Sequence, residues 1–187
     1  MNQAYFSDQT FDRTENLTKS EYENCVFNSC SFEDNSLTGF KFIDCTFTSC
    51  NLSLSKLNQT VFQNVQFKDC KMLGLRFDTC SDFGLSFSFE NCQLNHSSFY
   101  KLNLKNTHFT DSQLQEIDFS EADLSNSVFK NCNLLLSVFD RTTLDKADFR
   151  TAVNYSIDPE KNRIKKAKFS LQGVAGLLNK YDIIIEK

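Results

Sequence analysis

Eight cysteines, Cys25, Cys30, Cys45, Cys50, Cys70, Cys80, Cys92 and Cys132, are the residues of this chain best equipped for chemistry, because thiolates hold zinc and oxidise to disulfides. Their spacing argues against both. There is no CxxC pair, and near neighbours such as Cys25 and Cys30 stand five apart. The two histidines, His96 and His108, lie in no HExxH motif, and neither a GxSxG elbow nor a glycine-rich phosphate loop occurs. Asp and Glu recur along the chain in a way that scatters accidental carboxylate pairs. No cofactor, metal site or catalytic group is expected, and the chain does not read as an enzyme. The Asn-x-Ser/Thr triplets at Asn16, Asn51, Asn58, Asn95 and Asn154 are what a chain rich in these residues produces by chance.

The element that positions the cysteines is a repeat of five. Bulky apolar residues run Leu17, Tyr22, Phe27, Phe32, Leu37, Phe42, Phe47, Leu52, Leu57, Phe62, Phe67, Met72 and Phe77 without a miss. A second series runs Phe89, Leu94, Phe99, Leu104, Phe109, Leu114, Phe119, Leu124, Phe129, Leu134, Phe139, Leu144 and Phe149. Neither a helix of period 3.6 nor a strand of period two explains such a series. All eight cysteines occupy the slot two before a central position, alternating there with Ser, Thr and Ala, so they read as small buried side chains with free thiols. Phe40, Leu75, Leu102 and Ile117 are bulky exceptions in that slot. The other three positions of each five are mostly polar, and His96 and His108 fall among these outward slots.

Composition agrees with a repeat. The 187 residues include 20 Phe but only 5 Gly, 1 Pro and no Trp, too few turn residues for ordinary connections. The length suits one domain, and no apolar run approaches the eighteen residues of a membrane span. Residues 1–12 carry no basic start followed by an apolar stretch, so a cytoplasmic protein without membrane contact is expected.

Segments such as Cys45-Thr46-Phe47-Thr48-Ser49 and Ala122-Asp123-Leu124-Ser125-Asn126 resemble the pentapeptide-repeat family motif of a small residue, a polar residue, Leu or Phe, and two polar residues. The resemblance covers roughly residues 17–149. It implies an all-β, right-handed quadrilateral β-helix with four pentapeptides per coil. Twenty residues per coil would stack Phe89, Phe109, Phe129 and Phe149 on one face and Phe99, Phe119 and Phe139 on the opposite one.

Three regions follow. Residues 1–16 are expected to cap the first coil, residues 17–149 to form the β-helix, and residues 150–187 to form a capping and dimerisation module. The gap of twelve between Phe77 and Phe89 breaks the register over 78–88. It is either a benign insertion or a surface bump that meets a partner, with Phe83, Leu85 or Phe87 left partly exposed. Near the C-terminus, Asp158-Pro159 suits a turn or helix start, and Ser170 precedes Leu171, Val174, Ala175, Leu177 and Leu178 at helical spacing. The following Tyr181-Asp182-Ile183-Ile184-Ile185 reads as a strand-like tail. It either folds back as a cap or, in the favoured reading, builds a homodimer interface from Leu171, Val174, Leu177, Leu178, Tyr181, Ile183, Ile184 and Ile185. The stretch Asn154-Tyr155-Ser156-Ile157-Asp158-Pro159 through Ala167-Lys168-Phe169-Ser170 resembles the C-terminal region of the quinolone-resistance (Qnr) and microcin-immunity branch. That resemblance implies rods joined tail to tail that bind DNA gyrase or topoisomerase IV, although many Qnr members carry longer loops than this chain shows.

Charge is segregated. Residues 1–150 hold 20 acidic and 13 basic side chains, a balance of −7, whereas residues 151–187 hold 4 and 7, a balance of +3. Asp111, Glu116, Asp118, Glu121 and Asp123 follow one another without a base, all in outward slots. They either keep the rod soluble or, with the bulge residues Phe83, Gly84 and Leu85, face a DNA-binding saddle on a partner. The 133 residues from Leu17 to Phe149 make about six and a half coils, roughly 32 Å at the spacing of stacked strands. Two such rods end to end would approach two turns of duplex DNA, at roughly 34 Å each. The basic run Lys161, Arg163, Lys165, Lys166 and Lys168 is read as a solvated edge rather than a nucleic-acid site. The expected function is thus a DNA mimic protecting a type II topoisomerase from quinolones or a peptide toxin, the alternative being a rigid scaffold of the same fold with another partner.

Overall fold

A chain with a large apolar residue every fifth position can bury them all only by turning a corner between each pair. In the computed structural model, which describes residues 4–186, the chain does this at the residue two after each central one. These residues take left-handed backbone conformations, as at Asp44 (φ 53°), Asn64 (φ 52°), Asp111 (φ 51°) and Glu116 (φ 55°). Asp and Asn tolerate that region better than most side chains, which explains their frequency here. Four corners close a coil, and successive coils stack in parallel into a four-sided solenoid.

One face carries a four-stranded parallel sheet, Tyr5–Ser7, Glu21–Glu23, Lys41–Ile43 and Val61–Gln63. The next face carries seven parallel strands, from Thr10–Asp12 through Val26–Asn28, Thr46–Thr48, Val65–Lys68, Phe87–Glu90 and His108–Thr110 to Val128–Lys130. The third and fourth faces are held by single bridges, such as Ser31↔Asn51 and Ser98↔Asp118. Within the second face the rings of Phe11, Phe27, Phe47, Phe67, Phe89, Phe109, Phe129, Phe149 and Phe169 form one stack, with neighbouring centroids 4.5–5.5 Å apart. The expected opposite stack of Phe99, Phe119 and Phe139 is present and begins at Phe77.

The slot two before each centre is buried for a reason beyond size. The Ser55, Thr60, Ser127 and Thr142 hydroxyls donate to the carbonyl of a central residue one coil back, at 2.7–3.0 Å. The Cys45 and Cys50 thiols reach the equivalent carbonyls of Tyr22 and Phe27 at 3.3 Å. Cysteine thus replaces serine as a weak donor with more apolar volume. All eight cysteines are free and buried, as are the bulky exceptions Phe40, Leu75, Leu102 and Ile117.

The register break is a two-residue insertion on the first face. Phe67 pairs with Phe89 and Val65 with Phe87, an offset of 22 where the coils on either side show 20. Below it the aromatic partners of the Phe stack stand on the first face (Tyr22, Phe42, Phe62); the switch to the fourth face comes at Phe77, just before the break, and continues above it at Phe99, Phe119 and Phe139.

The two ends depart from their sequence-based picture. Phe6 and Phe11 are five apart and stack on Tyr22 and Phe27 across sixteen residues, so the N-terminal segment is itself a shortened coil with paired strands. At the other end the expected amphipathic α-helix is replaced by two 3-10 segments, Gly173–Leu177 and Asn179–Tyr181. Gly173 and Gly176 explain this, because both are weak helix formers and are pressed so closely on Tyr155 that a Cβ at either would overlap it. Asp158-Pro159 starts a turn, not a helix, with the Asp158 carboxylate accepting the Glu160 N–H at 2.9 Å. The tail forms no strand: Asp182 turns left-handed (φ 49°) and Ile183–Ile185 pair with nothing among the described residues.

Candidate partner-binding surface

The five acids read as a strip do not line up along the rod. A run of thirteen residues covers more than half of a twenty-residue coil, so they wrap around it. Asp111 and Glu116 sit at the corners after the second and third faces, Asp118 on the fourth, Glu121 at the corner beyond, and Asp123 on the first. Most are answered by neighbouring coils. Glu121 lies 3.0 Å from Arg141 and 3.5 Å from Lys101 and accepts the Tyr100 hydroxyl, Asp123 lies 3.2 Å from Lys105, and Glu116 lies 3.3 Å from His96 Nδ1. Burial pushes the Asp123 carboxyl up, but hydrogen bonds from Ser125 and the Lys105 ammonium outweigh this and hold it below the usual carboxylate range. Of the five, Asp111 and Asp118 have no ion-pair partner among the described residues, and Glu116 faces only the imidazole of His96.

Acids do run along the axis elsewhere, where sequence contiguity gave no hint. At the corner after the first face Asp8, Asn24, Asp44 and Asn64 stack, and the Asn64 amide donates to Asp44 at 2.6 Å. At the corner after the second face Asp69, Asn91, Asp111 and Asn131 repeat the alternation, with amide-to-carboxylate bonds of 2.7 and 2.8 Å. Asp44–Asn64 and Asp111–Asn131, twenty residues apart, were the signal once the coil length is used as a ruler, whereas Asp8–Asn24 and Asp69–Asn91, sixteen and twenty-two apart, escape it.

The bulge presents one side chain. Phe83 is 78% exposed, whereas Leu85 is half-buried on the core and Phe87, expected to be partly exposed, is buried beside Phe77 and Phe89. Phe87 takes the slot two before Phe89, which points inward. The loop below Phe83 is tied down by Gln63 Nε2 donating to the Phe83 carbonyl (3.2 Å), the Leu85 N–H to Asp82 (3.3 Å) and the Asn64 N–H to Ser86 Oγ (2.8 Å). Gly84 takes φ +67°, a conformation strained for any residue with a Cβ, and lies against the Gln63 side-chain amide.

The C-terminal cap is apolar on its outside. Leu171, Val174, Tyr181, Ile183, Ile184 and Ile185 are exposed, Ile184 to 91%, while Leu177 and Leu178 are half-buried. Leu135, Leu136, Val138 and Val153 on the last coils are also exposed, apolar residues in outward slots that the sequence reading passed over. Between coil and cap lies a groove of about 440 Å³, lined in part by Leu135, Val153, Tyr155 and Gly173. The Tyr155 hydroxyl is buried beside it with no hydrogen-bond partner among the described residues. Lys180 bridges Asp158 (2.9 Å) and Glu160 (2.6 Å) and fixes the cap to the rod. Among the described residues no three of His, Cys, Asp and Glu gather as a ligand set for a metal ion, and no helix is long and apolar enough to cross a membrane.

Comparison with known proteins agrees with this architecture. A trypsin-treated variant of QnrB1, a plasmid-mediated fluoroquinolone resistance protein, is 19% identical with a TM-score of 0.50, and the alignment covers 98% of each chain. HetL, a pentapeptide repeat protein involved in heterocyst differentiation regulation from the cyanobacterium Nostoc sp. strain PCC 7120, is 12% identical with a TM-score of 0.51, covering 90% of this chain and 88% of HetL. These likenesses are of fold. No curated protein sequence matches. The family model described as a pentapeptide repeat region matches residues 40–119 and 85–152, together more than half of the chain, and with the stacked five-residue rungs this shows that the chain belongs to the pentapeptide-repeat family.

Proposed function

We propose that this chain is a cytoplasmic DNA mimic that binds a type II topoisomerase, DNA gyrase or topoisomerase IV, and protects it from quinolones or a peptide toxin. The observation that carries the reading is the pair of carboxylate lines parallel to the axis, Asp8–Asp44 and Asp69–Asp111, on a rod whose first 150 residues carry −7. A duplex offers the same sign of charge along its length. The exposed Phe83, on a backbone held by Gln63, adds an aromatic side chain of the kind that anchors interfaces. The apolar cap and its neighbours Leu135, Leu136 and Val153 support tail-to-tail pairing into a rod of about twice the length. Action is by occupancy, not by reaction.

The test is gyrase supercoiling at a fixed quinolone dose with increasing amounts of the protein. Rescue at low concentration and inhibition at high concentration are expected, and Asp44→Asn combined with Asp69→Asn and Asp111→Asn should weaken both while the fold is kept. The absence of both rescue and inhibition would overturn the reading. One observation favours the alternative of a rigid scaffold with a different partner: Glu116, Glu121 and Asp123 are already answered by His96, Lys101, Arg141 and Lys105.

A further inference from the structure

The corner after the first face changes character at the last two coils. Apart from the bulge coil, its left-handed residues are Asp8, Asn24, Asp44, Asn64, Asn106 and Asn126, then Lys146 (φ 61°) and Lys166 (φ 60°). Lysine gains nothing from a left-handed conformation that asparagine occupies with less strain, so local backbone preference does not select it. The two lysines are stacked, with the Lys146 N–H donating to the Lys165 carbonyl at 2.9 Å. Around them stand Arg163, Lys165 and Lys168, all exposed. The two acids on these rungs are committed: Asp145 to Arg163 at 2.6 Å, and Asp148 to Arg150 at 2.7 Å with Lys168 at 3.9 Å. Lys146, Lys165 and Lys166 have no ion-pair partner among the described residues.

We propose that this basic corner is a docking surface for an acidic peptide segment of a partner protein. Charge complementarity sets the sign. The height of the patch sets the size, since two rungs lie about 4.8 Å apart and suit a few carboxylates of an extended peptide. A duplex lying on the same patch would extend over the rest of the rod, where the acidic excess of seven repels its phosphates. The surface continues the corner of the Asp8–Asp44 line but lies at the other end of the chain, stands on a different corner from the Asp69–Asp111 line and uses a different residue set from the apolar cap, so it does not depend on the topoisomerase reading.

The experiment measures fluorescence anisotropy of labelled hexaglutamate, and separately of a labelled duplex DNA, with the full chain at low salt. The variant is Lys146→Asn with Lys166→Asn, which restores the residue this corner carries elsewhere and so should fold with an equal or higher Tm. Binding of hexaglutamate that weakens with salt, and about tenfold in the variant, is expected. Absence of peptide binding, binding unchanged in the variant, or tighter binding of the duplex lost in the same variant would each overturn the assignment.

Discussion

Asn131 Nδ2 donates to Asp111 Oδ1 at 2.8 Å across one coil, repeating the bond that Asn91 makes to Asp69 at 2.7 Å. Alternation lets each carboxylate face an amide donor instead of another carboxylate a strand spacing away. Asn131→Asp should therefore destabilise the fold by roughly 0.5–1 kcal/mol, through a lost hydrogen bond and a like-charge pair. Part of that loss should return at high salt. Urea unfolding at two ionic strengths checks it, and a neutral outcome would show that the ladder contributes nothing.

The stacked rings predict where stability resides. Phe109 is fully buried between Phe89 and Phe129, at 5.2 and 5.0 Å, so Phe109→Ala should cost about 3–5 kcal/mol. Phe83→Ala should lie within about 0.5 kcal/mol of the parent, because its ring touches mainly solvent. Chemical denaturation of both variants separates core from contact residue.

Burial pushes the Cys45 and Cys132 thiols up to about 12. In the unfolded chain they ionise near the ordinary thiol value, about 8.5. The folded state thus holds the proton more tightly. Its stability from this source is complete below that value and is lost as pH rises through it towards 12. The urea midpoint should fall between pH 8 and 10.5, and Cys45→Ser should flatten the fall, since a serine there can donate to the Tyr22 carbonyl as Ser55 and Ser127 donate to the equivalent carbonyls of Phe32 and Leu104. A thiol reagent at neutral pH should modify none of the eight cysteines until denaturant is added.

Ile184 is 91% exposed on the apolar cap. Ile184→Asp should give a folded monomer, seen by light scattering beside an unchanged circular dichroism spectrum. A dimer surviving the substitution would refute pairing through the tail.

The rungs were legible because each central residue from Tyr22 to Phe77 and from Phe89 to Phe149 has one environment, the core, and the period of five names it directly. The slot two before the centre was legible for the same reason. Other features depend on the coil, not the rung. Glu116 and Asp118 look adjacent in sequence yet stand at a corner and on the next face, while Asp69 and Asn91, far apart in sequence, are hydrogen-bonded. The cap was least legible: Leu171 to Leu178 has helical spacing, but the room beside Tyr155 admits only glycine at 173 and 176 and breaks the helix into short turns. Phe6 and Phe11 escaped because sixteen residues, not twenty, separate them from their partners.

The second aromatic stack passes from the first face at Phe62 to the fourth at Phe77 just before the two-residue insertion, while the stack through Phe67 and Phe89 runs on. The rod is therefore two length-adjustable modules joined at one splice. A whole coil copied or deleted within either module would find matching neighbours above and below, and would change the reach of the protein in steps of about 4.8 Å. A coil transplanted across the splice would set phenylalanine against leucine columns on two faces. Adding or removing a whole coil should therefore cost least within either module and most across the bulge.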